Sequence, residues 1–391
     1  MAKIVAITEH TGPGKAIREV VKTLREESGI ETSLYPTALT SNLYRDLPEL
    51  KELSEEQVST LRGEHMSPES LDSFVQSIFE EEKPDLILTA SIDPSPAIDK
   101  SMIREANKRD ILSIAVMDYW SSPDLYGKRF PSKEFYPTKI ASLDDIDTEN
   151  LILSGIPKDI IVITGNPNFD GLKMARRAFE GKEKAFRPFD LNPTNILVTY
   201  APDPLHSDFL PFDEAYKINR DTFDSMACGL SRVSMDNRKK VDLAVMLHPK
   251  DIRAEGGIDS WKEIFKLNQA GYVNSFLGRE SMEDTRVNLD NARLSSNLVM
   301  SGRSTSGAEC LYLGSPVMIL HPGLEFYRNG LNHFIEKGII PAANSIESGI
   351  DQIYRFFSNS KFRENCLGRQ EVYKNQPDSS PRVVELIKSM L

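Results

Sequence analysis

The segment Ser301–Glu309 has residue types and spacing that could hold an anion beside a hydrogen-bonding carboxylate. In context it reads Leu298-Val-Met-Ser-Gly-Arg-Ser-Thr-Ser-Gly-Ala-Glu309-Cys-Leu-Tyr-Leu-Gly314. An apolar strand runs into a small, hydroxyl-rich turn, and a helix starts there. The first N–H groups of a helix lack intrahelical partners and sit at the positive end of its dipole, so they stabilise an anion. Ser304, Thr305 and Ser306 can cap the helix or hydrogen-bond phosphate oxygens, while Gly302 and Gly307 allow close backbone approach. Ser301 and Arg303 complete the run. Glu309, in the first turns, can accept both hydroxyls of a ribose. Each residue alone has a plainer account, the hydroxyls as caps and Glu309 as a complement to the dipole. It is the ordered combination that favours a ligand. No Gly-x4-Gly-Lys-Ser/Thr run occurs, so this is not a Walker loop.

Candidate acids and bases lie where apolar runs end. Asp118 closes Ile111–Met117 and is followed by Tyr119 and Trp120, with Arg129 further along a Pro-containing loop. In an open α/β sheet, ligands lie beyond the carboxyl ends of the strands. An acid there could take a proton from an acceptor hydroxyl or a sugar carbon, or it could simply cap a loop. Asp93 ends the neighbouring run, but Pro94 and Pro96 favour a turn aspartate. Three of the six histidines, His10, His206 and His248, follow strand candidates. Of these, His248-Pro-Lys250 is the preferred donor-phosphate or base contact. The loop His321-Pro-Gly-Leu-Glu325-Phe-Tyr-Arg-Asn329 offers Gly323, Glu325 and Asn329 to donor sugar or phosphate. No Asp or His cluster has metal spacing, so no metal and no cofactor is expected.

These residues need a scaffold of alternating strands and helices, and the chain provides one. Strand candidates in the first half are Lys3–Thr8, Glu31–Tyr35, Asp85–Ala90, Ile111–Met117, Lys139–Ser142 and Ile160–Thr164. Between them, Lys15–Glu27 and Ser70–Glu82 keep a helical apolar period. The second half repeats the alternation with Ile196–Tyr200, Leu243–Leu247, Val273–Phe276, Leu298–Ser301 and Pro316–Leu320, and with a helix over Thr305–Leu313. This is the signature of βαβ units and parallel sheets. A charged, then Pro-containing stretch over Gly171–Asn192 reads as a linker. The last helix, Pro381–Leu391, could pack on either half. Thr37–Ser67 breaks the alternation; with only sparse Leu53, Val58 and Leu61, it reads as a surface excursion or mobile insertion.

Bulk properties narrow the class. A chain of 391 residues is long enough for two domains. Its hydrophobic fraction of 40% and charged fraction of 27% are those of a globular protein. A net charge of −11 argues against an electrostatic grip on nucleic acid or an anionic membrane. No apolar run approaches the roughly 20 residues of a transmembrane helix. The first apolar run is too short for a signal-peptide core. Cys228, Cys310 and Cys366 are widely spaced and odd in number, without metal or disulfide patterning. Cytoplasmic residence is expected, with Cys310 as a small core residue.

The order of short motifs resembles the GT-B nucleotide-sugar enzymes, in particular UDP-N-acetylglucosamine 2-epimerases and, more loosely, lipid A disaccharide synthase. Thr11-Gly12-Pro-Gly14 looks like their glycine-containing cleft loop, and Asp85–Asp93 like their strand ending in an acid. Ile111–Asp118 is similar to the strand carrying a second carboxylate, Thr164-Gly-Asn-Pro-Asn-Phe-Asp170 to their Thr-Gly-Asn…Asp segment, and Met246-Leu-His-Pro-Lys250 to a His-containing strand end. The resemblance implies an α/β, GT-B-like fold, with two Rossmann-like domains whose parallel sheets face across a cleft. The expected boundaries are an N-terminal acceptor-side domain over 1–178, a linker over 179–192 and a nucleotide-sugar domain over 193–391. Two departures matter. The Gly-His-Arg-Arg-Glu-Asn block of epimerases is replaced by Thr199-Tyr-Ala-Pro-Asp-Pro-Leu-His206, and Ala308 stands where they keep the first of two adjacent Glu residues. The resemblance therefore implies a glycosyltransferase using an NDP-sugar, most simply a UDP-sugar, with Asp118 activating the acceptor. The alternatives are a 2-epimerase, non-hydrolysing or hydrolysing, in which Asp93, Asp118 and His206 share proton transfer, and a non-catalytic nucleotide-sugar binder. The expected partners are the donor and an acceptor; a homodimer is compatible with all three readings.

Overall fold

A computed structural model describes residues 1–37, 40–51, 68–90, 98–179, 194–205, 211–238, 240–247, 251, 254–266, 293–302, 306–321 and 332–391. The chain divides into two compact units. Unit 1 comprises Met1–Gly171 with Pro377–Leu391, and unit 2 comprises Leu172–Gln376.

Unit 1 is built on a six-stranded parallel sheet of β1 (Ala2–Ile7), β2 (Ile30–Tyr35), β3 (Leu86–Ala90), β4 (Leu112–Val116), β5 (Lys139–Ser142) and β6 (Ile161–Ile163). Its spatial order is β2-β1-β3-β4-β5-β6, so the direction of travel reverses between β1 and β3. Alternation along β1 divides its side chains between two cores. Ile4 and Ala6 join Ala16, Ile17, Val20 and Val21 of helix α1 (Thr11–Leu24) on one face. Val5 and Ile7 face the other, where Phe74, Val75 and Ile78 of a later helix cover them. Both faces of the sheet are thereby buried, which is why its strands read as near-continuous apolar runs.

Two local readings are corrected. The segment expected to be a glycine-containing loop, Thr11-Gly12-Pro13-Gly14, forms the first turn of α1. Proline fits there because the N–H it lacks would have no intrahelical partner. The expected excursion over Thr37–Ser67 begins as core structure, with a short helix α2 (Ser41–Tyr44) and with Tyr44 and Leu47 buried in the α1-side cluster. Gly14 is buried against this helix, since a methyl group on it would meet Thr40 and the Tyr44 hydroxyl at 3.0 Å. Leu53, Val58 and Leu61 lie outside the described residues.

Helix α3 (Pro68–Glu82) ends in a carboxylate that braces unit 1. Glu82 is salt-bridged to Lys3 at 2.6 Å and Lys51 at 3.0 Å. It also accepts from the hydroxyls of Tyr35 at 2.8 Å and Ser33 at 3.0 Å. Burial by itself pushes this carboxyl up, but the bonds from Lys3, Lys51, Tyr35 and Ser33 outweigh burial and hold its pKa at about 2, below the ordinary 4.5. Folding thus favours the ionised form: the contribution is complete above pH 4.5 and is lost as pH falls towards 2. Glu82→Gln is expected to cost about 2 to 3 kcal/mol at neutral pH. In urea titrations its deficit relative to the unmodified protein should shrink as the pH is lowered from 4.5 towards 2.

The remaining helices of unit 1 are α4 (Ile98–Lys108), α5 (Pro123–Arg129), α6 (Asp145–Leu153) and the start of α7 (Asn168–Phe179). The chain returns at its end with a helix over Ser380–Met390, whose Val383, Val384 and Ile387 complete the α1-side core.

Unit 2 carries β7 (Ile196–Ala201), β8 (Val241–Val245), β9 (Leu298–Ser301), β10 (Val317–Leu320) and β11 (Ala342–Ala343) in a second parallel sheet, ordered β11-β10-β9-β7-β8. Here the reversal lies between β7 and β9. The long helix α8 (Phe212–Asn237), α9 (Gly257–Lys266), α10 (Ser306–Leu313), α11 (Asn332–Glu336), α12 (Ile346–Ser358) and α13 (Ser360–Lys374) surround it; the final helix of unit 1 is α14. Phe223, Met226 and Leu230 of α8 meet Ile353 and Phe356 of α12 over Val198, Leu243 and Met318 of the sheet. Cys310, in α10, is fully buried as a small core residue. Strand β11 was not anticipated, because two alanines carry no β-branched signal. The expected strand Val273–Phe276 lies outside the described residues. Among those described, no helix is long and apolar enough to cross a membrane.

Candidate functional site

In unit 2 the site grows from the point where the strand order reverses, which is where open α/β sheets hold ligands. The strand β9 ends at Ser301, paired with Ala201 of β7, and Gly302 continues the register by donating its N–H to the Ala201 carbonyl at 3.1 Å. Below Gly302 sits the Asp203 carboxylate. A methyl group on Gly302 would come within 2.6 Å of it, so only glycine fits. Asp203 in turn lies 3.3 Å from Nε2 of His321, the residue that follows β10, and both side chains are buried. The floor of the site is thus a buried acid–histidine pair joining the ends of β7 and β10 beneath the end of β9. Ser301 is fully buried, and its hydroxyl makes no hydrogen bond.

Helix α10 starts at Ser306 immediately beyond this floor. Gly307 and Ala308 are buried in its first turn, while Glu309 remains partly exposed. The Glu309 carboxylate is held by Arg293, whose Nη1 donates to Oε2 at 2.7 Å. The second terminal nitrogen of Arg293 donates to the Ser306 hydroxyl at 3.0 Å. A helix N-terminus, a fixed carboxylate one turn inside it and a buried guanidinium therefore form one cluster. Asp251, beyond β8, is fully buried and ties the chain after β7 to α9, accepting from the Leu205 N–H at 3.1 Å and the Trp261 indole at 2.8 Å.

In unit 1 the residues after β4 form a second constellation. Asp118 is half-buried beyond the strand, and its Oδ2 would lie 3.0 Å from a methyl group placed on Gly12. Glycine in the first turn of α1 thus lets the helix N-terminus close onto this carboxylate, a favourable place for a negative charge. The Thr164–Asp170 segment supplies the frame. Asn166 donates its side-chain amide to the Asp118 carbonyl at 2.8 Å and accepts the Asn168 N–H at 3.0 Å. Trp120 stacks on Phe169 with centroids 6.2 Å apart and donates its indole N–H to Asp144 at 2.9 Å. Asp170 accepts the backbone N–H groups of Ser379 and Ser380 and the Ser380 hydroxyl, at 2.7 to 2.9 Å, and so caps α14. Gly165 adopts a left-handed φ of +88° and passes so close to Ser379 that a methyl group would lie 2.4 Å from its hydroxyl oxygen.

One further acid stands at the β1/β3 reversal. Asp99, in the first turn of α4, is fully buried and accepts the Glu9 N–H at 3.4 Å. Burial, with the neighbouring Glu9 charge second, pushes its pKa up to about 8.

Of the residues anticipated from sequence, Gly12, Gly14 and Asp118 are placed in unit 1, and Ser301, Ser306, Gly307 and Glu309 in unit 2. Asp93, His206, His248, Lys250, Arg303, Ser304, Thr305, Gly323, Glu325 and Asn329 lie outside the described residues. Arg293, Asp203, His321 and Asp99 had not been singled out. The strand-end rule would have found Asp203 and His321; no local pattern marks Arg293.

Neither a protein-family model nor a curated protein matches the sequence. Solved structures do. UDP-GlcNAc 2-epimerase from Neisseria meningitidis, bound to UDP-GlcNAc, is 13% identical with a TM-score of 0.64, covering 99% of this chain and 100% of that one. The UDP-GlcNAc 2-epimerase of Methanocaldococcus jannaschii is 14% identical with a TM-score of 0.65, covering 99% of each chain. MurG of Acinetobacter baumannii is 10% identical with a TM-score of 0.59, covering 100% of each chain. At these identities the likeness is one of fold, and with two parallel α/β sheets it gives the conclusion: this chain has the GT-B fold, as those epimerases and MurG do.

Proposed function

We propose that this chain is an enzyme acting on a UDP-linked sugar, with unit 2 holding the nucleotide at the N-terminus of α10. The observation that carries this reading is the Glu309 carboxylate, fixed by Arg293, which also bonds Ser306, one turn inside a helix that starts at the strand-order reversal. The diphosphate meets the unpaired N–H groups of α10, and the ribose hydroxyls donate to Glu309. Neighbours of the same fold point to the ligand class, since one of them is bound to UDP-GlcNAc.

The reaction we favour is glycosyl transfer. The acceptor is a hydroxyl compound, and Asp118 is the base that takes its proton. The acceptor oxygen forms a bond to the anomeric carbon while the bond from that carbon to the UDP oxygen breaks, and UDP leaves with the electron pair. The helix N-terminus stabilises the charge growing on the diphosphate. Ala308, standing where the epimerases have the first of two adjacent Glu residues, supports transfer over epimerisation.

A 2-epimerase is the second reading, and the fold neighbours favour it, because two of the three structures above are UDP-GlcNAc 2-epimerases. In it Asp93, Asp118 and His206 share proton removal and return at the sugar C2. One incubation separates the two. The protein is mixed with a panel of NDP-sugars in deuterated water, with and without hydroxyl acceptors, and nucleotide release and deuterium at C2 are followed. UDP release that requires an acceptor, with no deuterium at C2, is the expected outcome. Deuterium at C2 contradicts the transferase, and tight UDP binding without turnover contradicts both.

A further inference from the structure

The segment before β9 raises a question about Arg293. Its residue is 6% exposed, and both of its terminal nitrogens are used within the cluster, one on Glu309 Oε2 at 2.7 Å and one on Ser306 Oγ at 3.0 Å. The base from which it projects is fixed to the sheet. Ser296 donates its N–H back to the Arg293 carbonyl at 3.2 Å, and its hydroxyl bonds that of Thr199 in β7. Asn297 donates its N–H to the Leu197 carbonyl at 2.7 Å and accepts the Leu197 N–H at 2.8 Å. The base of this side chain is therefore anchored to β7 on one side, and its guanidinium spans two positions of α10, three residues apart, on the other.

We infer that Arg293 is the positioning residue for ribose recognition: it locks the Glu309 carboxylate in the orientation that accepts the ribose hydroxyls. The inference rests on the nucleotide reading above. A glutamate at a helix start has three rotatable bonds and would lose rotamer freedom on binding a diol. A planar guanidinium bonded to one carboxylate oxygen removes that freedom in advance, so that less is lost per hydrogen bond formed. The bond to Ser306 matters equally, because it ties the carboxylate to the residue that opens the helix. The ribose and diphosphate subsites are thereby held at a fixed spacing. Lysine cannot do this: a point charge on a flexible stem can pair with Glu309, but it does not span both groups in one plane.

The role differs from two others that Arg293 could have. If its work were only to hold β9 and α10 together, its loss would lower stability and weaken all ligands alike. If it contacted the diphosphate, its loss would erase the preference for UDP over uridine. As a ribose-positioning residue, it instead sets the preference for UDP over 2′-deoxyuridine diphosphate and 3′-deoxyuridine diphosphate.

The test is calorimetric titration of the full chain, unmodified and as Arg293→Lys, with UDP, the two deoxy-diphosphates and uridine. Arg293→Met is the second variant, and thermal melts of both report folding. In the unmodified protein UDP should bind about tenfold or more tighter than either deoxy analogue, the worth of one hydrogen bond to a charged group. In Arg293→Lys that ratio should fall to within about twofold, while the UDP-to-uridine ratio stays unchanged. A ribose preference that survives in the folded variants overturns the inference, as does a loss confined to the UDP-to-uridine ratio. Failure of the unmodified protein to bind UDP, or equal binding of UDP and its deoxy forms, removes instead the nucleotide reading on which the inference rests.

Discussion

Asp170→Ala is expected to destabilise unit 1 by about 3 kcal/mol and to release the C-terminal helix before the rest of the unit unfolds. The carboxylate is buried and takes four hydrogen bonds from two consecutive residues, Ser379 and Ser380. It acts as an N-cap supplied from 210 residues away in the chain. Alanine leaves two backbone N–H groups and a hydroxyl without their acceptor, each at a cost of about 1 kcal/mol or more. The consequence goes beyond the cap, since Val383, Val384 and Ile387 of α14 pack against α1 and the sheet. Urea denaturation should show the loss, and limited proteolysis should cleave ahead of α14 in the variant well before it does so in the unmodified protein. Asp170→Asn should fall in between, because its one carbonyl oxygen still accepts while the charge is gone. A melt unchanged by Asp170→Ala would contradict this account of the Thr164–Asp170 segment.

The second large effect is on turnover. Asp118→Asn is expected to lower kcat by about 100- to 10,000-fold, the range spanned by loss of a positioned general base. The change keeps the size and shape of the side chain. Asn166 bonds the main-chain carbonyl of residue 118, not its side chain, and Gly12 leaves room for an amide as readily as for a carboxylate. A melt of this variant reports whether it stays folded, and its affinity for UDP, which the proposed function gives to unit 2, should be unaltered. Steady-state kinetics with the donor and acceptor identified by the NDP-sugar panel give the readout. A kcat within threefold or so of the unmodified protein would remove Asp118 from the reaction.

Much of this architecture is visible in the sequence because parallel sheets buried on both faces write themselves as apolar runs. Strand β5 falls on Lys139–Ser142, and β9 on Leu298–Ser301, as the runs indicate. The segment proposed to hold the nucleotide is visible for a related reason: β9, a hydroxyl-rich stretch of sequence and the start of α10 lie within a dozen consecutive residues. What escapes is whatever depends on contact between distant segments. Arg293 stands five residues ahead of β9 in a polar stretch, and nothing there announces that its guanidinium reaches Glu309. Asp203 and His321 are separated by most of unit 2 and meet only because the ends of β7 and β10 flank β9. The start of α1 escapes for a different reason. Gly-Pro-Gly is a turn signature in isolation, and only the demand for close packing against Asp118 and Tyr44 makes glycine the right residue inside a helical turn. Asp170 shows the two kinds of knowledge side by side. Its place in a recognisable segment is legible, while its partners at the far end of the chain are not.

The claim beneath both the transferase and the epimerase reading is that α10 and Glu309 hold a nucleotide, and a single titration reaches it. UDP is titrated into the unmodified protein and into Glu309→Ala, with thermal melts run on both. The account predicts saturable UDP binding that weakens by about tenfold to a hundredfold in the variant, the loss of a charged acceptor for ribose hydroxyls, with a lowered melt because the buried Arg293 loses its partner. Equal UDP affinity in the two folded proteins, or no UDP binding by the unmodified chain, would contradict it.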